Sequence, residues 1–325
     1  MFVFTYPHTS GAIVDPRKPV RLNKGDLIGI ISPASRIADP ARIDKGVAYL
    51  ERLGYRTVVG KHVLNLYGYL AGKDEERAED LHAMFSRVDV KAIMCIRGGY
   101  GTPRLLDLID YRLIARHPKI FVGYSDITSL QLALWKKCRL VTFQGPMVGV
   151  DLADPLDGLT EELFWKLLTS PKKAGQVIPP DEPVSVVHKG KASGRLLGGN
   201  LAHLVAIMGT VHQPSFKDSI LFVEDIGEEP YRIDRMMTHL RHAAVLSQAS
   251  AILGGQFTDC GPKDPSKPSL SLEEIFREIG SKVPVPFLAG LPFGHEARKL
   301  TIPMGIRARV NVEARTLEYL EGAVL

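Results

Sequence analysis

Four short segments of the chain carry residue types that can do chemistry. The first is Gly123-Tyr124-Ser125-Asp126-Ile127-Thr128, which follows the apolar run Ile120-Phe121-Val122 and precedes a helical pattern. A serine at a strand-to-helix turn is lifted above the sheet, where the helix N-terminus favours negative charge. The segment resembles a nucleophile elbow, although Ile127 stands where G-x-S-x-G has its second glycine; Ser125 or Asp126 serves equally well as a helix cap. The second is Arg97-Gly98-Gly99-Tyr100-Gly101, whose glycines let backbone N–H groups approach an oxyanion or phosphate, or simply make a tight turn. The third, Val223-Glu224-Asp225-Ile226, sets two acids after the apolar run Ile220–Val223. They either face a cleft or end a strand in solvent. The fourth is Gly294-His295-Glu296, a lone histidine after a strand, which is a structural histidine or a base. Taken together, Ser125, Glu224 and His295 supply nucleophile, acid and base in an order that serine hydrolases use.

The elements that must position these groups alternate. Apolar runs at Leu27–Ile31, Arg56–Val59, Ala92–Ile96, Ile120–Val122 and Leu140–Phe143 read as strands, with helices at 39–53, 74–87 and 127–135 between them. That pattern predicts a parallel α/β sheet covered on both faces. Residues 1–150 are expected to form this domain and residues 151–193, rich in proline and charge, a linker with one short helix. Residues 194–325 are expected to form a second domain.

The chain has 325 residues, 45% hydrophobic and 24% charged, with a net charge of +5. These values suit a globular protein with a sizeable core. The basic residues are scattered and no nucleic-acid motif occurs, so the expected partner is a small anionic substrate rather than a nucleic acid. Cys95, Cys138 and Cys260 are odd in number and widely spaced, which predicts neither disulfides nor a cysteine metal site and favours a reducing compartment. His239 and His242 lack an H-E-x-x-H context, so no metal is expected. Met1–Phe4 does not read as a signal peptide, and no run of about 18 apolar residues predicts a membrane span. The expected location is cytoplasmic.

The ordered motifs resemble those of the LD-carboxypeptidases, a serine peptidase family that includes murein tetrapeptide carboxypeptidases and microcin C immunity peptidases. The resemblance rests on Ile28–Ser35, Arg97–Gly101, Gly123–Thr128, Gly145-Pro146-Met147, Leu197-Gly198-Gly199-Asn200-Leu201, Val223–Ile226 and Gly294-His295. It covers nearly the whole chain. It implies a flavodoxin-like N-terminal domain and a smaller C-terminal α/β domain of swivelling β-barrel character.

It also implies Ser125, Glu224 and His295 as a catalytic triad without cofactor or metal. The oxyanion hole would be made by backbone N–H groups of Asp126 and of Gly98 or Gly99. The implied reaction releases terminal D-alanine from a murein tetrapeptide by cutting an L,D-peptide bond, in an enzyme that is often a homodimer. Arg97, Tyr100 and Asn200 are candidate substrate contacts. An alternative within the family is an aminoacyl-nucleotide substrate, for which Trp165 could supply a stacking surface. A rival of another class is a ligand-binding protein that uses Gly98–Gly101 to cradle phosphate.

Overall fold

The computed structural model describes residues 15–325, so the expectation drawn from Met1–Phe4 lies outside the described residues. The first half holds β1 (Leu27–Ile31), α1 (Ala41–Arg52), β2 (Arg56–Val59), α2 (Asp74–Ser86) and β3 (Val90–Cys95). It continues with α3 (Tyr111–Arg116), β4 (Ile120–Val122), α4 (Ile127–Cys138) and β5 (Thr142–Gln144). Then come α5 (Gly158–Thr169), β6 (Gly175–Gln176), β7 (Ser185–His188), β8 (Lys191–Asn200), α6 (Leu201–Ala206) and β9 (Ser219–Ile226). The chain goes on through α7 (Pro230–His242), α8 (Val245–Gln248), β10 (Ala251–Thr258), α9 (Leu272–Lys282) and β11 (Phe287–Ala289). It ends with β12 (Ile302–Met304), β13 (Arg307–Asn311) and β14 (Thr316–Tyr319).

The first sheet runs β12-β5-β4-β3-β1-β2. Strands β1 to β5 are mutually parallel, and β12 adds antiparallel to β5. Every residue of β1, β4 and β5 is buried, as expected of parallel strands covered on both faces. The order 5-4-3-1-2 reverses between β1 and β3. Such a reversal is the usual ligand position in open α/β sheets, and here the loops leaving the carboxyl ends of the two strands are bonded to each other, Ser35 N–H donating to the Gly98 carbonyl.

The second sheet is mixed, in the order β6-β14-β13-β8-β9-β10-β11-β7. Its end strands are β6 and β7. The stretch 151–193, read as a linker, is more ordered than its proline content suggested. It contains α5, and its strands β6 and β7 pair with β14 and β11 of the second sheet. Strand β8 starts at Lys191, inside that stretch. Asp157 caps α5 by accepting from the N–H groups of Leu159 and Thr160.

Candidate active site

Ser125 follows β4 and opens the turn into α4. Its φ is +62°, a left-handed conformation that is strained for a residue with a Cβ and is what a nucleophile elbow requires. Asp126 does not cap α4 with its side chain. Its buried carboxylate instead accepts from the N–H groups of Gly101 (3.0 Å) and Thr102 (2.9 Å), while Thr102 Oγ1 donates back to its carbonyl. The side chain that follows Ser125 therefore ties down the glycine loop after β3.

That loop lies directly on Ser125. A methyl group at Gly98 would stand 2.9 Å from Ser125 Cβ and 3.1 Å from its Oγ, so only glycine fits. The N–H groups of Gly98, Gly99 and Asp126 donate to no acceptor among the described residues. Gly98 and Asp126 are buried, and a buried N–H without a partner calls for an anionic ligand or a water. Gly98 lies against Ser125 and the Asp126 N–H, whereas Gly99 packs toward Ser35.

Glu224 comes from the second sheet. It sits within β9 near its carboxyl end and is 1% exposed, so the solvated strand end considered above does not apply. Its Oε2 lies 2.8 Å from His295 Nδ1, while its Oε1 is buried without a partner. Gly294 gives the pair room: its φ is +128°, and a methyl there would lie 3.1 Å from Glu224 Oε2. The His295 ring meets the Tyr124 ring edge-on, with centroids 5.1 Å apart. His295 thus stands beside the residue that precedes Ser125. No direct hydrogen bond joins Ser125 Oγ to His295 among the described residues. Such bonds are often long before substrate closes the site.

The candidate substrate contacts divide. Tyr100 is 43% exposed, and Tyr69 stands edge-on to it at 5.6 Å. Ser35 Oγ bridges the Tyr100 backbone, accepting from its N–H and donating to its carbonyl. Arg97 is half-buried and donates from Nη1 to the Arg36 carbonyl. Asn200 departs from the expectation of a free substrate contact. Its Oδ1 accepts from His203 N–H at the start of α6 and its Nδ2 donates to Asp225 Oδ1. The carboxamide is committed to holding α6 against β9. Trp165 is also structural: it stacks on Tyr55 at 5.1 Å and donates to Tyr49 Oη.

Two residues packed around the site escaped the sequence reading. His203 lies 3.4 Å from Asp126 Oδ1, and burial holds its imidazole below the ordinary histidine value despite the raising effect of Asp126 and Glu224. Its only signal was the third position after the Asn200 cap. Lys299, 3% exposed, pairs with Asp151 at 2.6 Å and reaches Tyr124 Oη at 3.2 Å; four residues after His295, it gave no motif. Among the described residues no group of three or more His, Cys, Asp or Glu is arranged to hold a metal ion.

The chain is similar to known proteins over nearly its whole length. A family model for the LD-carboxypeptidase N-terminal domain matches residues 28–145, and one for the LD-carboxypeptidase C-terminal domain matches residues 193–310. A probable murein peptide carboxypeptidase of Bacillus subtilis is 41% identical over 92% of this chain and 93% of its own. A murein tetrapeptide carboxypeptidase of Pseudomonas aeruginosa is 37% identical over 86% and 91%. The Microcin C7 self-immunity protein MccF of Escherichia coli is 30% identical over 91% and 94%. A solved structure of MccF in complex with glutamyl sulfamoyl guanosine superposes with a TM-score of 0.87 at 26% identity, covering 95% of this chain and 100% of that one. With both of its halves matched in order and relatives aligned over nearly its full length, the chain belongs to the LD-carboxypeptidase family and is a serine-type peptidase.

Proposed function

We propose that this enzyme removes the terminal D-alanine from murein tetrapeptides by hydrolysing an L,D-peptide bond, with Ser125 as nucleophile. The observation that carries the reading is the part-buried Glu224–His295 pair at 2.8 Å, together with a serine in a left-handed turn beside the free N–H donors of Gly98 and Asp126. In this mechanism Ser125 Oγ attacks the scissile carbonyl while His295 Nε2 takes its proton. Glu224, bonded to Nδ1–H, fixes the imidazole tautomer and stabilises the imidazolium. The oxyanion forms against the N–H groups of Asp126 and of Gly98 or Gly99. As the tetrahedral adduct collapses, His295 returns the proton to the departing amine of D-alanine. A water then attacks the acyl-enzyme with the same histidine as base, releasing the tripeptide and restoring Ser125.

The two murein-acting relatives favour a murein substrate over others. The likeness to MccF favours a second reading, an aminoacyl-nucleotide substrate. That reading loses its sequence candidate for a stacking surface, because Trp165 is packed on Tyr55. Three unpaired, buried cysteines suit a reducing cytoplasm, where murein fragments would be recycled. A homodimer belongs to the same proposal.

The test is release of D-alanine from a murein tetrapeptide in the presence of EDTA, beside Ser125→Ala. Release by wild type alone supports the reading. Release by neither turns the assignment to aminoacyl nucleotides, and equal release by both removes Ser125 as nucleophile. A fluorophosphonate that labels wild type but not Ser125→Ala excludes a pure binding protein.

A further inference from the structure

The carboxyl end of α4 borders a cavity that the proposed reaction does not use. The helix begins two residues after Ser125 and runs for 12 residues, so this end stands about 18 Å from the serine. The cavity holds about 350 Å³ and lies where α4 packs on the second sheet. Its walls include Trp135 of α4, the cap residue Arg139, Arg195 of β8, Arg307 of β13, and Lys217 and Asp218 just before β9. Arg195 and Arg307 are directly opposite residues of antiparallel β8 and β13, so both project from the same sheet face, about 5 Å apart at Cβ.

The charges around this cavity do not balance. Arg195 is answered by Glu321 at 3.3 Å, a carboxylate that also takes Lys18 and the Arg307 N–H. Arg139, Lys217 and Arg307 have no carboxylate within 4.0 Å of their charged groups among the described residues. Asp218 is the one acid in the walls among the described residues, and residues 1–14 contain no Asp or Glu. Three cations against one carboxylate leave an excess of two positive charges, which suits a doubly charged anion better than a single carboxylate.

Two further observations point to a ligand. Trp135 is 3% exposed, and its buried indole N–H makes no hydrogen bond among the described residues. Gly305 packs against the benzo edge of that indole, so the unused donor lies on the other edge. A buried donor without an acceptor calls for a ligand or a water. Arg139 caps α4 in a left-handed conformation, φ +55°, where helix ends ordinarily place glycine. A long side chain is strained there, yet it sets its guanidinium 5.1 Å over the Trp135 ring on the cavity wall.

We propose that this cavity is a second binding site, for a phosphate-bearing small molecule held by Arg139, Lys217 and Arg307. Guanidinium forks present paired N–H donors to phosphate oxygens, and the lysine adds a point charge. The site is separate from the Ser125 centre and does not depend on the carboxypeptidase reading.

The test uses the full-length Trp165→Phe protein, in which Trp135 is the one remaining tryptophan. It is titrated with pyrophosphate, glucose 1-phosphate and acetate, following heat and Trp135 emission. Pyrophosphate should bind with a change in that emission, and acetate at least tenfold more weakly. Glucose 1-phosphate binding alongside it assigns the site to phosphate esters, and pyrophosphate alone to free phosphates; both support the site. Arg139→Gly removes the cation at a position whose backbone suits glycine. It should weaken pyrophosphate at least tenfold while leaving the ligand-free thermal midpoint unchanged or higher, and Arg139→Lys should keep part of the affinity. Arg277→Gln with Lys282→Gln removes two cations from α9, outside these walls, and should leave binding as it was. Undiminished binding by Arg139→Gly, an equal loss in the α9 variant, or binding without a change in Trp135 emission overturns the site. So does pyrophosphate that blocks fluorophosphonate labelling of Ser125, since the anion would then occupy the other centre.

Discussion

Tyr124 and His295 come from opposite parts of the chain, yet their rings meet edge-on with centroids 5.1 Å apart. The contact is braced from behind. Lys299 lies over the Tyr124 ring at 4.4 Å, bonds to its hydroxyl and pairs with Asp151 at 2.6 Å. Burial and Asp151 hold the Tyr124 hydroxyl well above the ordinary tyrosine range, so it remains a neutral donor. Tyr124 precedes the proposed nucleophile and Lys299 follows the proposed base by four residues, so the network sets one against the other.

Removing one partner of that pair would leave a buried charge alone. Lys299→Met is therefore expected to destabilise the fold by about 3 kcal/mol or more, whereas a conservative core substitution typically costs less. Asp151→Asn in the same chain should recover part of the loss, since Asn can still accept from the Met147 N–H. Urea unfolding of the two single variants and the double variant closes the cycle. Additivity within about 0.5 kcal/mol would mean the pair contributes no coupling.

Glu224 has a different kind of partner. Its Oε2 faces His295 while Oε1 is buried and unbonded, so its amide analogue fits the same space but can present N–H where an acceptor is needed. Glu224→Gln should lower kcat by ~10³-fold or more through the wrong imidazole tautomer, with little change in KM. Steady-state kinetics decide it: a loss smaller than tenfold removes Glu224 from the triad.

A methyl group at Gly98 would crowd Ser125 Oγ at 3.1 Å and push the glycine loop off the oxyanion position. Gly98→Ala is expected to cost about 100-fold or more in kcat, the scale of losing one oxyanion donor. Wild-type turnover by Gly98→Ala would show that this glycine lies outside the reaction path.

The first sheet was legible because its strands are continuous apolar runs separated by helical periodicity. β1, β2 and β4 fall on the residues the pattern names. The second sheet was harder for physical reasons. Strand β8 runs Lys191–Asn200 with serine, arginine and three glycines, and its identity comes from pairing with β9 and β13 rather than from its own composition. Strand β12 is three residues long, contains Pro303 and pairs with β5 far away in sequence. At the site, the three proposed catalytic residues each stand at a motif, so sequence alone could name them. Lys299 and His203 act through partners distant in the chain, as Lys299 does with Asp151, 148 residues away. No local pattern encodes such a contact.

Asp225 makes the fold sensitive to pH. Burial lifts its carboxyl to about 6, against the lowering effect of the hydrogen bonds from Ile226, Asn200 and Ala202. The folded state therefore holds this proton more tightly than the unfolded chain, whose aspartates titrate near 3.8. Stability from this group is fully present below about pH 4 and is lost as pH rises through about 6, by up to ~3 kcal/mol. Asp225→Asn keeps an acceptor for one of its partners and cannot ionise, so it should remove that share of the decline between pH 4 and 7. Denaturant unfolding of both proteins across that range measures it. A wild-type curve that parallels the Asn variant throughout would mean Asp225 ionises in the folded protein as freely as in the unfolded chain.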